Sequence, residues 1–550
     1  MKKILIIGGV AGGATAAARL RRLDENAEIV VLEKGGHVSF ANCGLPYYIG
    51  GVIKDRSSLL LQTPQGFLKR YRIDARVNNE ALSIDRASKT VLVREIYSGR
   101  EYSERYDHLI LSPGASPIVP DITGVNSDRV FMIRNMADTD ALKSFINDNK
   151  PRSAAIAGGG YIGLEMAENL KGLGLSVTIL QRPDQVIAPL DYDMACDVRR
   201  HLVKNGVKVI LKSGVEAINE TPDGLLIRAG GLELAADMLI LAVGVKPDIR
   251  LAAEAGLDIG PNGGILVDAH MRTSDPDVYA VGDATAIPEY VSGQDRLIPL
   301  AGPANKQGRV AADNICGIAT TYKGTQGSVI IKVFDMTVAA TGLNEKNARN
   351  LGLNYDKVFT YTASHAGYYP GGRFMSVKTI FEKGSGRLLG AQAVGFEGTD
   401  KRCDVLASAI RAGMTAYDLT ELELCYAPPY SSAKDPVNVT GYVIENLLEG
   451  RVKNFHWHDV DALPPDGSAN LVDVRTPDEY AKGHVNGFVN IPLDSLRERM
   501  NELHKAKPVY IICQIGLRGY IAARILSQKG FDAYNLSGGY RLYASVMNSD

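Results

Sequence analysis

Two cysteines stand in sequence contexts that suit sulfur chemistry, Cys43 in SFANCGLPYY and Cys513 in VYIICQIGLRGY. The nucleophile of thiol chemistry is the thiolate, and the pKa of a thiol falls at the N-terminus of a helix. Cys43 precedes a Gly-Leu-Pro turn and a predicted helix start, so we expect its pKa to be lowered. The sequence contains no CxxC pair. Because Cys43 lacks a partner for an internal disulfide, its oxidised form must be a mixed disulfide, a persulfide or a sulfenic acid.

Cys513 ends a predicted apolar strand, and a short loop follows it before the helix IAARIL. Successive backbone N–H groups of such a loop point at the sulfur and stabilise a thiolate or a persulfide. Arg518 adds positive charge, and we expect Asp473 and Arg475 to hold the loop. The alternative is a phosphatase-like Cys-x5-Arg loop that binds phosphate; the loop length favours sulfur transfer. The loop residues are Gln514, Ile515, Gly516, Leu517, Arg518 and Gly519.

The composition is that of an ordinary globular protein of several domains. A chain of 550 residues predicts two to four domains, and its 61 basic and 62 acidic side chains nearly balance. This balance gives no electrostatic reason to expect a nucleic acid or a membrane as a partner. The apolar run in MKKILIIGG stops at a glycine pair, too early for a signal peptide, which predicts a cytoplasmic location. The remaining cysteines are predicted to be small buried hydrophobic residues, namely Cys196, Cys316, Cys403 and Cys425.

Two units of strand, glycine turn and helix suit the binding of a nucleotide. The first is KILII followed by GGVAGG and ATAAARLRRL, and the second begins at Ala154 and continues through GGGYIG. Each predicts the opening of a parallel dinucleotide-binding fold, in which the helix N-terminus faces a pyrophosphate. The alternative for each unit is a tight turn without a ligand.

The details of the two fingerprints differ. The first, Gly8-x-Val10-x-x-Gly13, has valine at its middle glycine, and Glu33 ends the next strand, where an acid binds a ribose hydroxyl. The second, Gly158-x-Gly160-x-x-Gly163, is complete. Its ribose position holds Gln181, followed by an arginine, which leaves the choice between NADH and NADPH open.

The segments TSDPDVYAVGDA and YDHLILSPGASP, with both fingerprints, resemble motifs of the two-dinucleotide flavoprotein disulfide reductases. The resemblance implies FAD in the first domain, NADH or NADPH in the second, and a C-terminal interface domain that forms a homodimer. It also implies a set of FAD-binding residues: Gly8, Val10, Ala11, Gly12, Gly13, Glu33, Lys34, Gly114, Asp283 and Ala301. The implied NAD(P)H-binding residues are Gly158, Gly160, Tyr161, Ile162, Gly163, Gln181 and Gly244.

The family's usual second cysteine and its HPTxxE histidine are absent from this sequence. SFANCGLPYY, SHAGYYPGG and YAPPYSSAKDPV together resemble the single-cysteine coenzyme A disulfide reductases. That resemblance implies that Tyr368 and Tyr426 reach the site from the other subunit and give a proton or hydrogen bond to the leaving thiolate. Packing at the dimer interface is the alternative for both tyrosines, and a solvated helix face is the alternative for Arg19 and Arg22. The implied coenzyme A contacts are Thr15, Arg19, Arg22, Ser39, Asn42, Asn305 and Lys434.

The C-terminal elements NLVDVRTPDEYAKGHVNGFVNIPL, VYIICQIGLRGY and NLSGGY resemble a rhodanese domain. The predicted fold class is therefore α/β, with two Rossmann-like dinucleotide-binding domains, an α+β dimerisation domain and a C-terminal α/β rhodanese domain. The predicted boundaries are 1–118 with 246–322 for FAD, 119–245 for NAD(P)H, 323–447 for dimerisation, 448–456 for a linker and 457–550 for rhodanese.

These resemblances imply reduction of a coenzyme A persulfide, a polysulfide or coenzyme A disulfide by NAD(P)H through FAD and Cys43. Cys513 would bind sulfane sulfur or exchange it with coenzyme A, and the pairing of domains favours persulfide over disulfide as the substrate. One alternative is an NADH oxidase or peroxidase that cycles through a cysteine sulfenic acid. Another is a sulfur carrier or sensor with a regulatory flavin.

Overall fold

The computed structural model of this chain describes residues 2–548, which divide into two units. The first unit takes the described residues up to Asp184 together with Gly206–Gly327. The second takes Gln185–Asn205 and the described residues from Ser328 onward. Across residues 2–548, no helix is both long and apolar enough to cross a membrane.

The first unit contains two parallel five-stranded sheets, whose central strands are apolar runs buried on both faces. Ile4, Leu5 and Ile6 in the first strand are all fully buried. In spatial order the first sheet is Val278–Ala280, His108–Leu111, Lys3–Ile7, Glu28–Glu33 and Asp74–Val77. The second is Val207–Ile210, Ser176–Leu180, Ser153–Ala157, Met238–Leu241 and Val130–Phe131.

Glycine is required where the central strand of each parallel sheet turns into its helix. Gly8 has a φ of +99° and Gly158 a φ of +108°, in the left-handed region that favours glycine. A Cβ at Gly13 would lie 1.9 Å from the carbonyl oxygen of Gly8, and a Cβ at Gly163 would lie 2.0 Å from that of Gly158. Both fingerprints therefore specify the same close approach of helix to strand.

The rest of the first unit consists of helices and small antiparallel sheets around the two parallel sheets. The helices are Ala11–Leu23, Leu45–Ile49, Pro64–Tyr71, Met136–Asn149, Tyr161–Gly172, Arg250–Glu254 and Ala301–Ile315, with 3-10 turns at Asn42–Gly44 and Arg56–Leu59. The three-stranded sheets are Asn79–Asp85, Thr90–Glu95 and Glu101–Arg105; Val215–Thr221, Gly224–Ala229 and Leu232–Ala236; and Ile265–Leu266, Thr285–Pro288 and Asp295–Arg296. Ala115–Pro117 pairs with Val245–Pro247.

The second unit is built on one antiparallel and one parallel sheet of five strands each. The antiparallel sheet is Val329–Val333, Met336–Gly342, Leu388–Gly395, Phe374–Glu382 and Tyr355–Ala363 in spatial order. The parallel sheet is Lys453–Phe455, Ala533–Leu536, Val509–Ile512, Asn470–Asp473 and Val489–Asn490. The helices are Tyr192–Lys204, Glu345–Asn350, Thr399–Ala412, Ala416–Glu421, Pro436–Leu448, Pro477–Ala481, Leu496–Arg499, Leu517–Gln528 and Gly539–Met547, with 3-10 turns at Trp457–Ala462, Leu493–Ser495 and Met500–Glu502.

Two segments differ from the predicted boundaries. Residues 448–456 are predicted as a linker, but Lys453–Phe455 pairs in parallel with Ala533–Leu536, so the last sheet begins inside that segment. The segment 185–205 lies within the predicted NAD(P)H-binding domain, yet it belongs to the second unit. Ion pairs and hydrogen bonds join this segment to the second unit: Asp191 and Asp193 both bind the ammonium group of Lys378, and the Asp191 N–H donates to Gln392 at 2.8 Å.

Candidate functional site

Cys43 lies in the 3-10 turn Asn42–Gly44, directly before the five-residue helix Leu45–Ile49. Pro46 occupies the first turn of that helix, where a missing N–H costs nothing. The turn is closed by a hydrogen bond from the Gly44 N–H to the carbonyl of Ala41, 2.9 Å away. Cys43 is exposed as a residue, although the surrounding protein partly desolvates its sulfur. The sequence-predicted turn and helix start are therefore present and leave the sulfur open to a substrate.

The expected lowering of the Cys43 pKa is wrong. Partial burial of the thiol raises its pKa, and the carboxylates of Glu165 and Asp283 raise it further. A backbone hydrogen bond opposes these effects and is outweighed by them. The short helix therefore does not dominate the electrostatics of this thiol, since two acids from distant parts of the chain surround it.

Glu165 is a member of the site that sequence reasoning missed. It lies in the helix Tyr161–Gly172, two residues after the last glycine of the second fingerprint, and accepts a hydrogen bond of 3.3 Å from the Tyr47 hydroxyl. Burial raises its pKa to about 7, and the nearby carboxylate of Glu168 adds to that effect. Only the folded chain brings Glu165 beside Cys43, because about 120 residues separate them in sequence.

Replacing Glu165 with glutamine should lower the pKa of the Cys43 thiol, because it removes a negative charge that disfavours the thiolate. Wild-type Glu165 ionises near pH 7, so the difference between variant and wild type should widen as the pH rises above 7. The rate of alkylation by iodoacetamide against pH measures this. Glu254→Gln, an exposed acid of the same unit paired with Arg250, is the control. An unchanged alkylation midpoint in Glu165→Gln would show that the two groups are not coupled.

The two glycine turns present donor groups that fit dinucleotides. The helices Ala11–Leu23 and Tyr161–Gly172 begin without any side-chain cap, which leaves their first N–H groups available to a pyrophosphate. A Cβ added at Gly160 would meet no atom within 4 Å, so the second turn opens onto free space. The residues present therefore fit a dinucleotide at each turn.

The two predicted ribose residues occupy equivalent positions. The Glu33 carboxylate accepts hydrogen bonds from the N–H groups of Gly9 at 2.9 Å and Gly35 at 2.7 Å. The Gln181 amide oxygen accepts one from the Gly159 N–H at 2.8 Å. Both side chains thus lie against their own glycine turn, and their contact with a ribose hydroxyl stays a prediction.

The other residues predicted to contact FAD or NAD(P)H lie at turns and helix starts of the first unit. Gly114 and Gly244 have positive φ, Lys34 lies 3.4 Å from Asp248, and Ala301 begins a helix. Burial raises the pKa of Asp283. Its turn is held by Gln307, which the sequence did not single out; the buried Gln307 amide oxygen accepts a hydrogen bond of 2.7 Å from the Gly282 N–H. The remaining predicted members Ala11, Gly12, Tyr161 and Ile162 lie in the first turns of the two helices.

Four of the predicted coenzyme A contacts come together where the helices Ala11–Leu23 and Ala301–Ile315 pack. A Cβ at Gly308 would lie 2.4 Å from the carbonyl oxygen of Gly12, so only glycine allows this approach. The Thr15 hydroxyl donates to the amide oxygen of Asn305. Thr15, Arg19 and Arg22 follow one face of their helix, since residues three and four apart are neighbours.

The two arginines of this face differ in their surroundings. Arg22 is exposed. Arg19 donates from Nε to the buried carboxylate of Asp313 at 2.6 Å, so its charge is already partly compensated. The alternative of a freely solvated helix face therefore does not describe Arg19.

Two further predicted contacts flank Cys43 in the sequence. Ser39 has a positive φ of 46°, and its N–H donates to the carbonyl of Gly9 at 2.7 Å. The Asn42 side-chain oxygen is enclosed, and within residues 2–548 it has no hydrogen-bond partner. A buried acceptor without a donor is costly unless a ligand supplies one, which fits a substrate amide or hydroxyl beside Cys43.

Tyr368 and Tyr426 form a pair in the second unit. Their hydroxyl oxygens are 2.8 Å apart, and the side chains are 75% and 47% exposed. The hydrogen bond to Tyr426 raises the pKa of Tyr368. Tyr368 lies in the loop that joins the strands Tyr355–Ala363 and Phe374–Glu382, and Lys434 is exposed in the segment that follows Tyr426.

Cys513 lies at the base of its loop, buried, with its sulfur accepting a hydrogen bond of 3.0 Å from the Gly516 N–H. Burial raises its pKa, while hydrogen bonds from the backbone of Gly519, Ile515 and Gly516 oppose that rise. The predicted nest of N–H groups is thus present. It limits the effect of burial on the thiol pKa without reversing it.

The charged residues around this loop are paired. Arg475 binds Asp473 through two nitrogens and lies 3.4 Å from the side-chain oxygen of Gln514, as expected for residues that hold the loop. Arg518 donates to both carboxylate oxygens of Glu479 at 2.7 and 2.8 Å. That pair lowers the pKa of Glu479 to about 2. Leu517, on the loop rim, is 62% exposed.

The prediction for the other cysteines is half right. Cys196 and Cys403 are buried, but Cys316 is only partly buried and Cys425 is exposed. The physical reason is local: Cys316 follows the last turn of the helix Ala301–Ile315, and Cys425 lies in an irregular segment after the helix Ala416–Glu421.

Comparison with known proteins places these features in families. Residues 2–308 match the pyridine nucleotide-disulphide oxidoreductase family, and residues 329–436 match the dimerisation domain of that family. Residues 457–545 match the rhodanese-like domain. The predicted fold class is confirmed by these matches and by the sheets described above.

Several individual proteins are similar over most of this chain. Coenzyme A disulfide reductase of Staphylococcus epidermidis is 37% identical over 443 residues, which are 80% of this chain and 99% of that protein. The crystal structure of reduced CoADR-RHD of Bacillus anthracis has a TM-score of 0.97 and 48% identity, covering 100% of this chain and 98% of that one. A NAD-dependent persulfide reductase from A. fulgidus has a TM-score of 0.92 and 38% identity, covering 98% of this chain and 100% of that one.

Proposed function

Because this chain belongs to the pyridine nucleotide-disulphide oxidoreductase family, we propose that it reduces the sulfur–sulfur bond of a coenzyme A persulfide or of coenzyme A disulfide with NADH or NADPH. It is a flavin-dependent enzyme, as predicted. The observation that carries the proposal is the exposed lone thiol of Cys43 in a chain that also holds Cys513 in a nest of N–H groups.

The reaction of Cys43 is a thiol–disulfide exchange. Its thiolate attacks coenzyme A disulfide, forms a mixed disulfide with one coenzyme A and expels the other as a thiolate. With a coenzyme A persulfide, attack on the outer sulfur gives a Cys43 persulfide and the coenzyme A thiolate. The first glycine turn would hold FAD, which when bound would supply two electrons from NAD(P)H. Two-electron cleavage of the adduct returns Cys43 to a thiolate and releases thiol or sulfide.

The partial exposure of Tyr368 and Tyr426 suits a role in proton delivery. A phenol can donate to a developing thiolate without a histidine, and this site lacks the family's HPTxxE element. We place the two hydroxyls at Cys43 of the partner subunit of a homodimer, which the dimerisation-domain match supports. The expelled thiolate then takes its proton from the pair.

Cys513 prepares the substrate for Cys43. Its thiolate takes the terminal sulfur of a polysulfide or another sulfane-sulfur donor, and the persulfide then passes that sulfur to the thiol of coenzyme A. Products are the coenzyme A persulfide and free Cys513, so each turnover moves one sulfur atom and needs no outside reductant at this step.

Anaerobic NADH oxidation tests the order of the two cysteines. Coenzyme A disulfide, coenzyme A persulfide, and polysulfide with coenzyme A are each supplied to wild type and to Cys513→Ser. We expect Cys513→Ser to lose most turnover with polysulfide, on the order of tenfold or more, and to keep turnover with the two coenzyme A substrates. Cys196→Ser, a buried thiol distant from both loops in sequence, is the matched control.

Other outcomes would contradict the proposal. Equal loss on all three substrates in Cys513→Ser would place Cys513 in the reductive step rather than before it. Oxygen or peroxide consumption as fast as disulfide reduction would favour an oxidase or peroxidase. Negligible NAD(P)H turnover with every sulfur substrate, while Cys513 becomes persulfidated, would favour a carrier or sensor.

A further inference from the structure

One buried arginine lies between the two segments that carry the tyrosine pair. Arg402, in the helix Thr399–Ala412, is 1% exposed although it carries a full charge. A buried charge is tolerated only with a counter-ion and hydrogen bonds, so its contacts identify the segments that the charge holds together. Its counter-ion is Asp435, 3.0 Å from Nη2.

Nη1 donates to the carbonyl of Gly398 at the start of its own helix at 3.2 Å, whereas the other acceptors of Nη2 belong to the two tyrosine segments. Nη2 points at the carbonyl of Ser364 at 3.2 Å, the carbonyl of Tyr430 at 3.4 Å and the hydroxyl of Ser431 at 2.9 Å. Ser364 lies four residues before Tyr368, and Tyr430 lies four residues after Tyr426. The same nitrogen thus contacts the segment just before Tyr368 and the segment just after Tyr426.

The two segments also contact each other directly at this point. The Ala366 N–H donates to the carbonyl of Ser431 at 3.0 Å. The Ser431 hydroxyl donates to Asp435 at 2.7 Å, and Asp435 in turn caps the helix Pro436–Leu448 through the Val437 N–H. Arg402 and Asp435 therefore form the buried base of an assembly whose exposed end is the pair of phenols.

The loop that carries Tyr368 needs such an anchor. It contains three glycines, one of which, Gly371, has a φ of +93°, and the Tyr368 side chain itself is exposed. A glycine-rich loop has high conformational entropy, and a proton donor is effective only within hydrogen-bond reach of its acceptor. A loop held at its stem by a charged, buried contact loses much less of that entropy when it acts.

We propose that Arg402 is a positioning residue for the reductase, which fixes the Tyr368–Tyr426 hydroxyl pair in the geometry that delivers a proton to the expelled thiolate. Arg402 acts through the backbone of the two segments and does not touch the substrate. The proposal rests on the proposed function, since it gives the tyrosine pair its role in proton delivery.

The test is a double-mutant cycle in the full-length holoenzyme. Arg402→Lys keeps the charge but loses the planar fork that reaches several acceptors at once. We expect it to lower kcat with coenzyme A disulfide on the order of 10- to 100-fold, because a misplacement of about 1 Å costs that much. The rate of flavin reduction by NADH alone should not change. In the Tyr368→Phe/Tyr426→Phe background the same substitution should have almost no further effect.

A second variant and a control keep the test decisive if Arg402→Lys folds poorly. Ser431→Ala removes one acceptor and leaves the buried ion pair, and we expect a smaller loss of kcat that also vanishes in the double-phenylalanine background. Arg411→Lys, on an exposed position of the same helix, should leave kcat unchanged.

The outcomes separate this inference from the function beneath it. The loss of kcat in Arg402→Lys could instead multiply with the loss in Tyr368→Phe/Tyr426→Phe when the substitutions are combined. That result would show a general structural role and overturn the positioning role alone. Activity retained in Arg402→Lys and Ser431→Ala, with activity lost in Tyr368→Phe/Tyr426→Phe, would do the same. Full activity in Tyr368→Phe/Tyr426→Phe would overturn the proton-donor part of the proposed function and this inference with it.

Discussion

Cys43→Ser should abolish NADH-dependent reduction of coenzyme A disulfide and coenzyme A persulfide, with a loss of about a thousandfold or more in kcat. A serine hydroxyl has nearly the shape of the thiol. It cannot attack a sulfur atom, or later leave from it, as a thiolate can. The chain offers no second cysteine in the neighbouring sequence to take over the attack. Anaerobic single-turnover and steady-state NADH oxidation measure this loss.

The reductive half of the reaction separates this effect from misfolding. Reduction of the bound flavin by NADH should remain near the wild-type rate in Cys43→Ser, since the glycine turns are untouched. Cys425→Ser removes the other exposed thiol and should keep most of the activity. Full turnover by Cys43→Ser on every substrate would mean that the sulfur bond is cleaved without a cysteine adduct, and our mechanism would be wrong.

Lys378→Met should destabilise the second unit by about 3–5 kcal/mol. The ammonium group of Lys378 is completely buried and lies 3.0 Å from Asp191, 2.9 Å from Asp193 and 2.5 Å from Glu345. Methionine fills a similar volume but leaves three carboxylates in the protein interior without that cation. Hydrogen exchange of the amides in the strand Phe374–Glu382 measures the loss locally, because a chain of several domains need not unfold in one step.

The pH dependence of this effect has a definite sign. Lys378 and Lys357 hold the pKa of Glu345 at about 2, although its burial opposes them. A depressed carboxyl pKa stabilises the fold above the unfolded pKa of about 4.3, and that stabilisation is lost as the pH falls toward 2. Asp191 has the opposite effect on stability: burial raises its pKa despite Lys378, so its ionisation disfavours the folded state. The difference in the stability of the second unit between wild type and Lys378→Met should therefore become smaller below about pH 4.

Lys383→Met is the matched control for this prediction. Lys383 follows the same strand, is half exposed and lies 3.9 Å from Asp356. An exposed pair of this kind contributes about 1 kcal/mol or less. Equal effects of the two substitutions on amide exchange would contradict the assignment of Lys378 as the centre of a buried ion network.

The pairing around Lys378 also connects the C-terminal sheet to the antiparallel sheet within the second unit. The indole N–H of Trp457 lies 3.3 Å from Asp193, and Lys357, which binds Glu345 at 2.6 Å, lies 3.3 Å from a ring nitrogen of His458. The Phe359 N–H also donates to the Ser537 hydroxyl at 3.3 Å. Loss of Lys378 should therefore increase the hydrogen exchange of amides in both sheets of this unit.

Features that depend on a few neighbouring residues were accessible from the sequence. Gly8 and Gly158 require positive φ, and Gly13 and Gly163 require the absence of a Cβ, so the two fingerprints define their turns by sterics alone. The Cys513 loop is similar, because its N–H groups reach the sulfur within six residues. Family resemblance then supplied the order of domains and the cofactors.

Features that depend on long-range charge or burial were not accessible in this way. The expected low pKa of Cys43 considered only the helix that follows it, whereas Glu165 and Asp283 reach the thiol from distant parts of the chain. Arg19 was expected to contact coenzyme A, and the sequence does not indicate its bond to Asp313 almost 300 residues away.

The sequence by itself determined the local chemistry of this protein: two glycine turns, a lone thiol before a helix and a cysteine in a short loop. Only the tertiary structure decided which charges surround those groups and which buried arginine holds the tyrosines. The physical reason is range. Backbone sterics act between neighbours in the chain, but desolvation and Coulomb interactions act between neighbours in space, which folding brings together from any distance along the chain.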